Sequence, residues 1–420
     1  MFNKTIVKVG FFLAYRQIKH ASLWTTVLII FVMMLTFLNL VVVNGVLVGL
    51  IQSSVLAERT KYTGDVIISN LQQKSYIDQS HTILDVLKGL PAVVDVSPRY
   101  LGAGKLNADY NRKLNNDEVP NTAVATLAGI DPVVEDRVTH LSKYLVEGSY
   151  LSADDPDGVI IGANLLYKYT KIDAPGLQLL RKVGVGDRIK ITVGKNSKEV
   201  IIRGAIKSKV GENDIRVFMI QSEARKLIGS PNDDYDEIAV LLKKGSTLSD
   251  SARIKQILVN NGFDDGAKIQ TFEEAQPKFL KDIAATFGIL GNLIGSIGLA
   301  VASITIFIVI FVNAITRRKF IGILKGIGID STSIKVSYVF QSIFYAFAGT
   351  GLGLAVLYGF LMPYVDAHPI NFPFSDGIIY APFPGTMLRV LVLMITTVVA
   401  GYIPARLIVN RNTLDAILGR

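Results

Sequence analysis

The 420-residue chain contains no cysteine. That excludes a disulfide framework, a thiolate metal site and a cysteine nucleophile. It leaves the compartment open, because an exported region can fold without disulfides. Charge is scarce as well. Only 19% of residues are Asp, Glu, Lys or Arg, against about 25% in soluble domains. Half are hydrophobic, and the mean hydropathy is +0.39. This balance argues against disorder and against a wholly soluble protein. The four histidines, His20, His81, His140 and His368, are scattered rather than spaced as metal ligands. Asp154-Asp155-Pro156-Asp157-Gly158 begins like a calcium loop but lacks the closing Glu, and it reads as a solvated turn. No Walker A loop, nucleophile elbow or dinucleotide fingerprint occurs. The chain is therefore expected to be no enzyme and to bind no cofactor, metal or ATP itself.

What the chain does have is long uncharged runs. Residues 21–57, 283–316, 336–365 and 390–405 carry no Asp, Glu, Lys or Arg. About 20 apolar residues cross about 30 Å of hydrocarbon. The first three pass, and the fourth passes if Arg389 snorkels to the outer headgroups. The net charge of +9 is unevenly spread: +4 in residues 1–20, +4 in 317–335 and +2 in 404–420, but −1 in 366–389 and zero in 58–282. Basic segments alternate with non-basic ones, so both termini face the cytoplasm and 58–282 lies outside. A basic excess at membrane edges disfavours a nucleic-acid partner and favours the lipid bilayer. Residues 1–22 form a cytoplasmic amphipathic helix, with Ile6, Val9, Leu13 and Arg16-Lys19 on different sides. The first two runs exceed the bilayer and project as stalks. In the outer half of the first, Asn39, Asn44, Gly45 and Gly49 are costly in lipid and are expected to face protein.

The spacing predicts four transmembrane helices over 23–57, 276–316, 336–365 and 385–405, joined by a cytoplasmic loop 317–335 and an external loop 366–384, with a tail over 406–420. Between the first two helices lies an α/β (α+β) extracytoplasmic domain over 58–275, of two subdomains, one inserted at about 120–215. Strands are expected at 65–69, 93–97, 122–130, 158–162, 187–193, 200–206, 217–220 and 238–242. Helices are expected at 80–90, 163–171, 222–228 and 249–260.

Three segments resemble a known family. Residues 317–330, RRKFIGILKGIGID, are similar to the cytoplasmic loop of the MacB/FtsX/LolCE permeases through Arg317, Arg318, Ile321, Gly322, Ile323, Leu324, Ile327 and Gly328. Residues 404–418 resemble that family's ending through Pro404, Ala405, Arg406, Asp415 and Ala416, with Thr413 where Pro is usual. Leu13-Ala14-Tyr15-Arg16 resembles its opening. Asn44-Gly45 and Val66 and Ile68 add a slight likeness to the LolC/LolE type.

The resemblance implies the permease half of an ABC transporter of the mechanotransmission type (type VII), in a bacterial plasma (inner) membrane. It implies a second permease copy or sister permease, separate ABC ATPase subunits that bind the ATP, and a periplasmic chaperone or adaptor. The function so implied is lipoprotein release or export of other envelope cargo. The alternatives are a MacB-like peptide or drug exporter and an FtsX-like signaller to wall hydrolases. Ile321, Leu324 and Ile327 share one helical face and, beside Arg317, Arg318 and Lys319, would dock in a groove on the ATPase. The alternative is that the basic cluster only sets topology and the ridge packs on the chain itself. Gly291 and Gly295, with Gly349, Gly351 and Gly353, permit close helix approach, in a dimer seam or within one subunit.

Overall fold

The computed structural model describes residues 4–112, 118–171, 178–230, 233–372 and 376–410. Among the described residues, four helices are long and apolar enough to cross a membrane: Leu23–Thr63, Lys278–Thr316, Ser331–Ala367 and Phe383–Val409. Between the first and second spans lies a mixed α/β domain. The chain divides into two compact units. One takes residues up to Gln52, Lys281–Asn371 and the chain from Asp376 onward; the other takes Ser53–Leu280.

In the membrane unit the third span is the hub. Helix α1 (Lys4–Lys19), the first span and the fourth span all pack on it. It is also the least apolar of the four spans. The two facts belong together, because polar groups in a bilayer are tolerated where protein surrounds them. Ser333, Ser337, Gln341, Ser342 and Thr350 on this span are all buried. The Ser342 and Thr350 hydroxyls donate to the carbonyls of Tyr338 and Ala346, one turn back. The first span runs beyond the predicted 57 to Thr63, because two π-helical turns, Asn39–Val43 and Arg59–Thr63, continue it. A third π turn, Leu357–Leu361, lies in the third span.

The α/β domain has ten strands among its described residues. They are β1 (Val66–Ser69), β2 (Val93–Asn107), β3 (Thr122–Ile130), β4 (Leu145–Gly148), β5 (Gly158–Gly162), β6 (Arg188–Val193), β7 (Asn196–Ile206), β8 (Arg216–Ile220), β9 (Glu237–Leu242) and β10 (Lys268–Thr271). Their order is β10-β1-β9-β2-β3-β8-β5-β7-β4, with β6 pairing β2 and β7. Of these described strand pairs, β3–β8 and β5–β7 are parallel and the rest antiparallel. Helices α2 (Ser80–Gly89), α3 (Pro132–Thr139), α4 (Gln221–Ile228) and α5 (Leu248–Asn260) pack with them, beside one short helical turn at Gly211–Asp214. Local chemistry sets their ends. Asp131 caps α3 by accepting from the Val133 and Val134 amides, and Thr247 with Asp250 forms a capping box on α5.

Two larger apolar clusters result, beside a smaller one around Ile130, Ile160 and Phe218. One gathers Val66, Ile83, Leu87, Val240 and Leu258 around β1, β9, α2 and α5. The other gathers side chains from Leu106 to Leu227, a wider span than the predicted insert of 120–215. The reason is β2, which the sequence reading ended at Ser97. It continues to Asn107, pairing with β9 through its first half and with β3 and β6 through its second. Gly102 and Gly104 hid this continuation, because glycine is depleted in strands. At Gly102 a Cβ would lie 2.7 Å from Ile228 Cγ1. The helix predicted at 163–171 is absent. A single 3-10 turn, Ala163–Leu165, stands there, because the Leu165 carbonyl and the Tyr167 amide pair with Leu180.

Gly64 joins the first span to β1 with φ +65°, and a Cβ there would lie 2.4 Å from the Val240 carbonyl oxygen. Both facts demand glycine. Gly64→Ala is expected to destabilise the domain by more than about 1 kcal/mol. An unchanged melting temperature for the purified variant would refute this account of the junction.

Candidate functional site

Helix α6 (Arg318–Gly326) follows the second span after one non-helical residue, Arg317. Five apolar side chains lie within and just beyond it, and they divide between two faces. Ile321 and Leu324 are 2% and 7% exposed and join the membrane core with Ala314, Ile334, Ala405 and Ile408. Phe320, Ile323 and Ile327 are 48%, 52% and 71% exposed. The predicted ridge Ile321-Leu324-Ile327 is therefore split. Two of its members pack on the chain's own helices, and the exposed row is Phe320-Ile323-Ile327, spaced i, i+3, i+7. Periodicity alone could not choose between the faces, since both are apolar.

Other bonds fix α6 to the core. Lys325 Nζ donates to the Val409 carbonyl at 3.0 Å, closing the C-terminus of the fourth span. Gly322 is buried. Gly328 takes φ +93° as the chain turns back, and Asp330 Oδ1 accepts from the Thr332 amide to start the third span. Lys319 and Arg318 are exposed. Of the tail motif, Pro404 and Ala405 are buried in the fourth span and Arg406 is exposed. Thr413, Asp415 and Ala416 lie outside the described residues.

A polar relay near this segment was not foreseen. Gln341 of the third span donates to Gln17 Oε1 of α1 and accepts from Asn313 Nδ2 of the second span at 3.2 Å. The buried face of α1 is Gly10, Ala14 and Gln17. It packs on the third span, with Phe11 edge-on to Phe340; Ile6, Val9 and Leu13 are only half-buried. Gln17 and Gln341 are single polar residues without a motif, so only their places on opposed faces could have given the relay away.

Four of the five predicted glycines pack within the chain. Cβ atoms placed on Gly291 and Gly295 would meet Asn44 and Leu40 of the first span. On Gly349 and Gly353 they would meet Met33 and Phe37 of the same span, 2.4 and 2.3 Å away. Gly351 faces open space. Asn39, Asn44, Gly45 and Gly49 face protein, as the cost of polar groups in lipid requires.

In the α/β unit, the end of the first span is held by a clamp of buried charge. Arg59 Nε donates to Asp65 Oδ1 at 2.8 Å, and its Nη2 donates to the Ser246 carbonyl. Lys61 Nζ donates to the Ser208 carbonyl at 2.7 Å. The Tyr62 hydroxyl donates to Glu237 Oε2 at 2.6 Å and accepts from Arg216 Nη2. Arg99 donates to both oxygens of Glu135, to Glu237 Oε1 and to the Tyr62 carbonyl. Arg99, Arg216, Glu135 and Glu237 are each at most 4% exposed. Burial alone would raise the Glu237 carboxyl, but Arg216 and Arg99 outweigh it and hold it at about 2. Asp236, the residue before it, has no such partner among the described residues, and burial pushes it up to about 6 against the Leu101 N–H it accepts. No sequence motif marks this clamp, because its members are spread from residue 59 to residue 237.

Residues 292–413 match the FtsX-like permease C-terminal family. Over 281 residues the chain is 24% identical to an uncharacterized ABC transporter permease, MJ1507, of Methanocaldococcus jannaschii. That stretch is 65% of this chain and 65% of the relative, which is therefore spanned for less than two thirds of its length. Solved structures similar to the chain include the periplasmic region of MacB from Actinobacillus actinomycetemcomitans, at 14% identity and a TM-score of 0.34, covering 51% of this chain and 92% of that one. Another is the extracellular domain of the noncanonic ABC-type transporter YknZ from Gram-positive bacteria, at 13% identity and 0.33, covering 49% and 99%.

Replacing Glu237 by Gln would leave Arg99 and Arg216 short of their shared counter-charge. It is expected to cost about 3–5 kcal/mol. A depressed carboxyl stabilises the fold above its unfolded value near 4.5 and loses that contribution as pH falls towards about 2. Denaturant melts of wild type and variant at several pH values should thus differ most near neutrality and converge in acid. A gap of constant size would contradict the clamp.

Proposed function

We propose that this chain, an FtsX-like ABC transporter permease, turns ATP-driven closure of separate ATPase subunits into movement of its α/β domain. The observation that carries this reading is the division of α6. One face is seated in the membrane core through Ile321 and Leu324, and Lys325 ties it to the fourth span. The other presents Phe320, Ile323 and Ile327, which are about half exposed or more. A helix gripped on one side and apolar on the other suits a lever that a partner pushes. In the continuous first span, the far end carries the clamp that would receive the motion. Both termini and α6 lie in the cytoplasm on this reading, and the α/β domain lies outside a plasma membrane.

The cargo is not read from the segments that resemble LolC/LolE. Asn44 and Gly45 do packing work, Asn44 against Gly291 and Arg389 and Gly45 under the Tyr380 amide. Val66 and Ile68 lie in β1, flanked by β9 and β10. Those residues are accounted for by the fold.

The absence of cysteine makes a clean test possible. Ile327→Cys in the assembled complex is expected to cross-link to the ATPase subunit, and Leu324→Cys is not. Phe320→Asp with Ile327→Asp should weaken ATPase co-purification by about tenfold or more, as loss of an interface anchor does. Leu324→Asp should instead lower the yield of folded chain. Cross-linking through position 324 but not 327 would reverse the assignment of faces and sink this reading of α6.

A further inference from the structure

Within its helical length the fourth span carries two charges, Arg389 and Arg406. The helical rise between them is about 25 Å. The rise from Trp24 to Asn44 on the first span is about 30 Å. If Trp24 and Arg406 mark the inner boundary of hydrocarbon about 30 Å thick, Asn44 and Arg389 both reach the outer boundary, at the depth of lipid phosphates.

The sequence reading sends Arg389 outward by snorkelling. In the structure it is half-buried and its Nη2 donates to Asn44 Oδ1 at 3.0 Å. No carboxylate pairs with it among the described residues. A guanidinium carries a fork of N–H donors, and a single neutral acceptor meets it here. Its position is fixed from several sides. The Asn44 amide lies over Gly291 of the second span, where a Cβ would come within 2.9 Å of Nδ2. The next residue, Gly45, accepts the Tyr380 amide at 2.9 Å, and Gly49 admits the Ile378 carbonyl where no Cβ would fit. Snorkelling alone needs a long cationic side chain and no particular partner. An arginine held in place by an amide, with donors left over at phosphate depth, matches the paired oxygens of a phosphodiester.

We propose that Arg389, oriented by Asn44, binds the phosphodiester of a lipid headgroup in the outer leaflet. The binding rests on the membrane unit alone and stands whether or not α6 drives the chain; the choice of leaflet rests on the orientation proposed above.

Native mass spectrometry of the full chain in detergent tests it, with dioleoyl phosphatidylglycerol, dioleoyl phosphatidylcholine, dioleoylglycerol and inorganic phosphate as probes. Wild type is expected to hold both phospholipids about tenfold tighter than the diacylglycerol. Arg389→Gln should erase that preference, Asn44→Ala should weaken it, and Arg389→Lys should keep part of it. Melting temperatures check that each variant folds; if Arg389→Gln does not, the lysine and Asn44 variants decide. A wild type without preference for phosphate-bearing lipids would overturn the proposal, as would an Arg389→Gln protein that keeps the preference or folded lysine and Asn44 variants that both match wild type. Displacement of bound phospholipid by millimolar inorganic phosphate would make this a free-phosphate site and overturn the lipid assignment.

Discussion

Arg99 and Arg216 are charged groups out of reach of water, and each such group costs several kcal/mol in desolvation unless its partners are close and complete. Glu135 and Glu237 supply the counter-charge, and Tyr62 supplies a carbonyl and a hydroxyl between the two guanidiniums. Glu135 is satisfied in turn by Ser97 and Thr139. These residues come from β2, α3, β8, β9 and the last turn of the first span. The clamp therefore does more than tie one strand to another. It makes the position of the span's end a condition for the charge balance of the whole α/β unit. A network paired this closely, Arg216 Nε aside, resists small displacements, because losing one member leaves another charge buried alone.

The membrane unit is organised by the opposite chemistry. Its helices approach where side chains are missing: Gly349 and Gly353 under Met33 and Phe37, and Gly401 under Ser342. With lipid as apolar as leucine, packing and a few interhelical hydrogen bonds decide which helices touch. The third span combines both devices, with glycine on its seams and Gln341 joining α1 to the second span.

Much of the architecture was legible in the sequence, because bilayer thickness and charge asymmetry act on long stretches. The four spans and most strands appear where hydropathy and alternation put them, and Thr122–Ile130 and Gly158–Gly162 fall on the predicted bounds. What was not legible turned on choices between equal patterns. Helix α6 has apolar residues on two faces, and only the packed structure shows which face is covered. Gly291 and Gly295 fit a seam in either one chain or two. The continuation of β2 through Gly102 and Gly104 runs against propensity, and tertiary packing against Ile228 decided it. The clamp and the Gln17–Gln341–Asn313 relay join residues far apart in the chain, which no local period can reveal.

The π turn at Asn39–Val43 has an effect on how this gene can change length. Such a turn holds one residue more than the α-helix around it. Before it, Met33 and Phe37 face the third span; after it, Asn44 and Gly45 face Arg389 and the 378–381 segment. Deleting one residue of the turn would let it relax to α-helix while the residues after it keep nearly their present facing. A single in-frame codon loss inside the turn is thus a milder insult than the same loss elsewhere in the span, where every later side chain of the helix would turn by about 100°.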